Sequence, residues 1–247
     1  MAGRSSSARR VAVALAWRPE WPAAVAAAMA WVALAVIHAS PAIHAAGAAH
    51  GSHRAAATPT LRAAVGGWAL MSMAMMVPAT LPAVRHVGLN SIRRRRRWAM
   101  AVYVTSYVAV WVVFGVLALL LVRVAMAAGL DERQLVPGAL AIAAIWQLTR
   151  WKRRALVACQ RTVPLPPMGR RADAACVRFG LLQARRCVVS CWPLMLLMAV
   201  VGHRSLVIMA TLTAVITLEK RTSAATRERL IAPIAGALAA ATVVLLA

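Results

Sequence analysis

Long apolar runs separated by short polar stretches are the dominant pattern of this chain. Several runs approach or exceed the roughly 20 residues that an α-helix needs to cross a bilayer. The pattern therefore predicts an all-α fold, a polytopic transmembrane helix bundle of about seven spans, with six as the alternative count. The predicted spans lie at about residues 21–40, 61–84, 98–125, 135–149, 187–201, 206–218 and 230–247.

The composition supports a membrane protein with one bundle. Hydrophobic residues make up 62% of the chain, charged residues 14%, and the mean hydropathy is +0.71. In soluble domains about a quarter of the residues are charged. We expect a single transmembrane bundle over residues 21–247, preceded by a basic tail over residues 1–20. Arg18, Pro19 and Glu20 interrupt the short apolar run of that tail, so we expect no cleaved signal peptide.

The basic residues lie mainly in the polar stretches between the apolar runs. The net charge is +23, and it is concentrated at residues 93–97 and 150–171. Basic loops of membrane proteins lie on the cytoplasmic side, which predicts a cytoplasmic N-terminus and a multi-pass protein of the inner (plasma) membrane. We expect contacts with anionic lipid headgroups and no nucleic-acid binding. Residues 150–175 are predicted to form a cytoplasmic loop, and residues 178–186 an interfacial helix that leads into the fifth span.

The candidate chemistry begins with four sulfur side chains in the fifth span. Cys187, Cys191, Met195 and Met198 follow one another at spacings of 4, 4 and 3. At about 100° per residue, they fall within roughly 80° of one helix face. Thiolate and thioether ligands favour soft metals such as Cu(I). Because the four sulfurs extend over about 16 Å along the helix axis, we expect Cys187 and Cys191 as a ligand pair, Met195 as a third ligand and Met198 in packing. The alternative is that both thiols are small apolar side chains between helices.

The second span combines methionines with two helix prolines. Met75 and Met76 are candidate ligands from this span, and Met71 is a further one, while methionine as a flexible apolar filler is the alternative. Pro78 and Pro82, like Pro193 in the fifth span, each leave a backbone carbonyl without its helical hydrogen bond. In a membrane such carbonyls need another partner, so we expect these kinks to face other helices or a polar cavity.

Histidines and one ionisable pair complete the set of candidate functional residues. Four of the six histidines, His38, His44, His50 and His53, lie in or beside a linker at about residues 41–60. A flexible tract of this kind can collect Zn or Cu ions, which makes His50 and His53 further metal candidates, and a linker without ligands is the alternative. Glu219 and Lys220 end the sixth span, where an ionisable pair indicates either a functional site or a membrane anchor. We see no catalytic triad, carboxylate pair or nucleotide-binding motif, and we expect no enzyme activity from this chain alone.

Three stretches together resemble a bacterial family of predicted metal-binding integral membrane proteins, some of whose members are labelled copper chaperones. They are Met71 through Pro82 with its Met-Met-x-Pro signature, Gln147-Leu148-Thr149 followed by Lys152 and Cys159, and Cys187 through Met195 with Glu219-Lys220 beyond. Order and spacing match over about residues 65–220. Two positions depart from the family pattern, because Ser190 and Ala155 stand where the family often has cysteine. The resemblance implies a site poorer in thiols, completed by methionine.

Three functions follow from these observations. The first is a membrane-embedded protein that binds or handles a soft metal, most plausibly copper, and delivers it to a receiving partner protein. The second is a metal-independent transporter or scaffold subunit, whose prolines act as hinges. The third is a membrane subunit of an oxidative metalloenzyme complex, which needs a catalytic partner.

Overall fold

Helices account for the regular structure of this chain. The computed structural model describes residues 18–40, 61–201, 205–222 and 224–246, and within them it contains eight helices and no strand. The helices are α1 (Trp21–Ala39), α2 (Leu61–Leu89), α3 (Arg96–Ala127), α4 (Glu132–Leu148), α5 (Arg150–Cys159), α6 (Arg170–Val201), α7 (Leu206–Arg221) and α8 (Ala224–Leu246). The all-α prediction is confirmed, and each predicted span overlaps one helix.

Four of the described helices are long and apolar enough to cross a membrane, by length and composition. They are α1, α2 from Arg62 onward, α3 and α6. The helices α4 and α7 have 17 and 16 residues, and α8 contains a shorter apolar helix at Arg229–Ala241. Length and hydropathy therefore support four spans, fewer than the seven predicted from the sequence.

The stretch predicted as an interfacial helix before the fifth span is helical and continues into that span without a break. A single helix of 32 residues, α6, runs from Arg170 to Val201. Arg178 and Arg185 are two turns apart on an exposed face, while Phe179 and Gln183 are buried on the opposite face. The basic residues therefore occupy one side of a continuous helix and do not interrupt it.

The prediction that residues 150–175 form a loop was wrong at both ends, because residues 150–159 form α5 and residues 170–175 begin α6. Thr149 accepts a hydrogen bond from the Lys152 amide at 3.2 Å, which caps the start of α5. Lys152, Ala155, Leu156 and Cys159 are the buried residues of this helix. They recur at intervals of three, one and three residues, which is the period of an amphipathic helix. The basic residues between them concealed this pattern at the sequence level.

Helix α6 lies at the centre of the packing. It contacts α3 most extensively and also α4 and α5, while α2 packs on α1, α3 and α7. Gly180 of α6 permits the close approach of α3, because a Cβ there would lie 2.8 Å from the Tyr103 carbonyl oxygen. This approach places Tyr103 and Tyr107 of α3 beside the next turns of α6.

Pro78, Pro82 and Pro193 behave as the sequence predicts. Each carbonyl that they leave without a helical partner accepts a hydrogen bond from a side chain of another helix. The three bonds are Trp31 Nε1 to Ala74 O at 3.0 Å, Arg221 Nη2 to Pro78 O at 3.1 Å, and Trp146 Nε1 to Val189 O at 3.0 Å. An unpaired carbonyl in an apolar interior costs several kcal/mol, so these donors stabilise the kinked helices in one arrangement.

Candidate metal centre

Two thiols lie next to each other inside the bundle. Cys187 and Cys191 occupy successive turns of α6, their sulfurs are 3.7 Å apart, and both are free cysteines. Each residue is 1% exposed. The Cys191 thiol donates to the Cys187 carbonyl oxygen at 2.9 Å, which turns it along the helix toward Cys187. The pairing of these two thiols, expected from their spacing, is therefore present in the fold.

Two hydrogen-bond donors from other helices converge on the Cys187 sulfur. The Tyr107 hydroxyl of α3 donates to it at 2.9 Å, and the Lys220 ammonium of α7 contacts it at 2.5 Å. A hydroxyl and an ammonium both stabilise negative charge on sulfur. Cys187 is therefore placed to act as a thiolate, the form in which cysteine binds a metal ion.

A buried ion pair lies beside the thiols. Lys152 of α5 and Glu219 of α7 are 2.9 Å apart, and each side chain is 1% exposed. The sequence had suggested Glu219 and Lys220 as one ionisable pair. In the fold they have different partners, because Glu219 pairs with Lys152 while Lys220 contacts Cys187. The end of α7 thus joins the thiol pair to the amphipathic helix α5.

Methionines of two helices share the buried core in which the thiols lie. Met71, Met75 and Met76 of α2 and Met195 of α6 are fully buried, and they belong to the same core cluster as Cys187 and Cys191. Met198 is buried in this cluster as well. The fold therefore brings the kinked methionine helix and the cysteine helix into one core, while the ligand role of each methionine stays a prediction.

A third thiol lies at the edge of this group. Cys159 ends α5, is 9% exposed, and its side chain lies close to Ser190 of α6. Burial raises the pKa of the Cys159 thiol to about 11, while the positive charge of Lys220 acts in the opposite direction. Sequence reasoning named this residue in the second stretch of the family resemblance and did not include it among the candidate ligands. The sequence signal for the burial of Cys159 was the amphipathic period that it shares with Lys152.

The second stretch of the family pattern also reaches the core. Gln147, near the end of α4, is 1% exposed, and neither its amide oxygen nor its amide nitrogen has a hydrogen-bond partner within the described part of the chain. A buried amide without partners costs about 1–3 kcal/mol for each unsatisfied group. Gln147 is therefore a polar side chain in the core whose place packing alone does not explain.

Cysteine and methionine sulfurs are the candidate metal ligands that the described residues bring together. No group of three or more His, Cys, Asp or Glu side chains there is arranged to hold a metal ion. The candidate ligands His50 and His53, like His44, lie outside the described residues, and His38 Nδ1 lies 2.9 Å from the Leu34 carbonyl oxygen. Two thiolates and a thioether suit Cu(I), and they are a poor match for metals that prefer oxygen or imidazole ligands.

The fold and this core define an all-helical protein with a buried thiol and thioether cluster. A family model described as PpoB2, copper chaperone, matches residues 65–245 of the chain. The chain belongs to this family, so the resemblance to proteins labelled copper chaperones is confirmed. No curated protein and no solved structure matches it. The matched range contains Cys159, Cys187, Cys191 and the methionines of α2.

Proposed function

We propose that this protein binds Cu(I) inside the membrane and passes it to a receiving partner protein. Cys187 and Cys191 supply two thiolates, and Met195 or the Met75/Met76 pair supplies a thioether. The observation that carries the proposal is the adjacent, buried pair of thiols within a methionine-rich core. Soft sulfur ligands select Cu(I) over the harder divalent ions.

The membrane arrangement is part of this proposal. The apolar helices α1, α2, α3 and α6 support crossing of the inner membrane, and we propose that α4, α7 and α8 complete seven spans with little tilt and local thinning of the bilayer. Residues 93–97 and 150–171 would then face the cytoplasm and anionic headgroups. The thiol cluster lies near α5 and the end of α7, which supports a metal site toward the cytoplasmic side in this arrangement.

The side-chain hydrogen bonds to the carbonyls freed by proline favour this function over a transporter that bends at its prolines. Pro78, Pro82 and Pro193 would act as hinges only if their freed carbonyls changed partners during motion. Each carbonyl already accepts a side-chain donor from another helix. A fixed scaffold around a preformed sulfur site needs these bonds, whereas a hinge must break them.

The first test is an anaerobic Cu(I) titration of the purified full-length protein in lipid nanodiscs, in competition with bathocuproine disulfonate. We expect about one Cu(I) per chain and a sulfur-only shell in X-ray absorption. The Cys187→Ser/Cys191→Ser variant should lose at least about 100-fold in affinity, because even removal of an outer-shell partner costs 10–100-fold. Cys176→Ser is the matched control, since Cys176 is a buried cysteine of α6 in a separate core cluster. Equal affinity of the double variant and the control would contradict the proposal.

The thioether ligand has its own test. Met195→Leu keeps nearly the same volume and removes the sulfur, and Met198→Leu makes the same change one turn further along α6. If Met195 completes the shell, the affinity falls about 10-fold or more in Met195→Leu and stays unchanged in Met198→Leu. If both variants retain the wild-type affinity, the same substitution at Met75 and Met76 tests the ligands from α2.

A further inference from the structure

A cavity of about 260 Å³ lies beside the thiol cluster, between α2, α5, α6 and α7. Its lining includes Thr80, Cys159, Arg161, Gln183, Lys220 and Arg221. We call it the exchange cavity. It approaches the candidate metal site at two points, because Lys220 contacts the Cys187 sulfur and Cys159 lies close to Ser190, one residue before Cys191.

The charged residues that line the exchange cavity, among those described, are all cationic. Arg161, Lys220 and Arg221 are cationic, and none of the described residues that line the cavity is acidic. Arg221 uses one N–H for the Pro78 carbonyl, which fixes its stem at the cavity wall. A ligand that fits this lining carries carboxylates or another anionic group.

One buried acceptor adds a second requirement. Gln183 is 6% exposed, and its amide nitrogen donates to the Cys159 carbonyl oxygen. Its amide oxygen is buried and has no partner within the described part of the chain. A buried acceptor of this kind calls for a ligand with an N–H donor. Gln183 also lines the cavity, so this donor would come from the ligand in it.

We propose that the exchange cavity binds a small thiol that carries carboxylates and amide N–H groups, and that Cys159 receives Cu(I) from it. This inference rests on the proposed function. The carboxylates of the ligand pair with Arg161 and Arg221, and one of its N–H groups donates to the Gln183 amide oxygen. The sulfur of the ligand then lies next to the Cys159 thiol at the cavity wall. Cys159 then hands the ion to the Cys187–Cys191 pair.

The transfer is ligand exchange without redox change. One Cu–S bond forms to Cys159 and one Cu–S bond to the carrier breaks, and copper stays Cu(I) throughout. The proton that leaves the Cys159 thiol goes to the sulfur of the released carrier. In the next step Cu–S bonds form to the Cys187 thiolate and to Cys191, and the bond to Cys159 breaks. The proton that the Cys191 thiol gives up passes to Cys159, which returns to its thiol form.

The test uses the Cu(I) complex of reduced glutathione as the probe, with full-length protein in nanodiscs under anaerobic conditions. Transfer is followed by stopped-flow, and the equilibrium affinity by competition with bathocuproine disulfonate. We expect Cys159→Ser to slow transfer about 10-fold or more, with a much smaller change in equilibrium affinity. Arg161→Gln should raise the half-saturating concentration of the probe about fivefold, as expected for one exposed charge contact. The diethyl ester of glutathione, which lacks the carboxylates, should load the protein more slowly than the acid.

Arg153→Gln is the matched control, because Arg153 is an exposed arginine of α5 outside the cavity lining. The inference is overturned if Cys159→Ser transfers copper at the wild-type rate, if the ester equals the acid, or if the two arginine variants behave alike. These outcomes leave the proposed function intact as long as the Cys187/Cys191 pair binds Cu(I). Absence of Cu(I) binding by the wild-type protein contradicts the proposed function itself.

Discussion

Removal of either member of the buried Lys152–Glu219 pair should strongly destabilise the protein. The two side chains are 2.9 Å apart and each is 1% exposed, so water cannot replace a lost partner. Breaking such a pair costs about 3–5 kcal/mol, because one charge stays buried without compensation. We therefore expect Lys152→Met and Glu219→Met each to lose about 3–5 kcal/mol. At about 2–4 °C for each kcal/mol in a chain of this size, the melting temperature should fall by about 6–20 °C.

The double variant distinguishes this electrostatic cause from loss of packing. Lys152→Met/Glu219→Met removes both charges and keeps most of the volume, so its stability should return close to that of the wild type. Thermal unfolding in detergent, followed by tryptophan fluorescence, measures all three variants. Arg153→Met, an exposed neighbour on α5, should change stability by no more than about 0.5 kcal/mol. The reasoning is refuted if the single variants resemble this control, or if the double variant loses as much as both single variants combined.

Two further predictions concern the packing that supports the site. Gly115→Ala should destabilise the protein by about 1–3 kcal/mol in thermal unfolding, because its Cβ would lie 2.1 Å from the Trp68 ring. Gly138→Ala is its control, since a Cβ there meets no atom within 4 Å, and a gain of up to about 1 kcal/mol is expected from helix propensity. Trp146→Phe should cost about 1–3 kcal/mol by leaving the Val189 carbonyl unpaired. Faster hydrogen exchange in the middle of α6 would reveal this loss, and unchanged exchange would contradict it.

The parts of the fold that were predictable depend on local periodicity. The spacing of Cys187 and Cys191 determines that both thiols share one helix face, whatever the rest of the chain does. The prolines likewise remove hydrogen bonds whose acceptors are determined four residues earlier. These expectations needed no tertiary information, and the fold bears them out.

The parts that were missed depend on contacts between residues far apart in the sequence. Tyr107 meets Cys187 across 80 positions, and Lys220 meets it across 33. The sequence shows Tyr107 only as an aromatic residue within an apolar run, and neighbouring residues do not reveal its hydrogen-bond partner. The burial of Cys159 was missed for a related reason, since it depends on how α5 packs against α6.

The balance of charge in the core connects stability with metal handling. Lys152 and Lys220 bring two positive charges, and Glu219 offsets one of them. The group that contacts the second ammonium is the sulfur of Cys187, and a thiolate there offsets it. Under the proposed function two thiolates and Cu(I) carry one net negative charge, so the ammonium of Lys220 offsets the loaded site as well as the empty one. Lys220 also lines the exchange cavity, so the same positive charge faces the proposed anionic carrier. Under both proposals one lysine therefore favours the thiolate form of the metal site and the binding of the carrier.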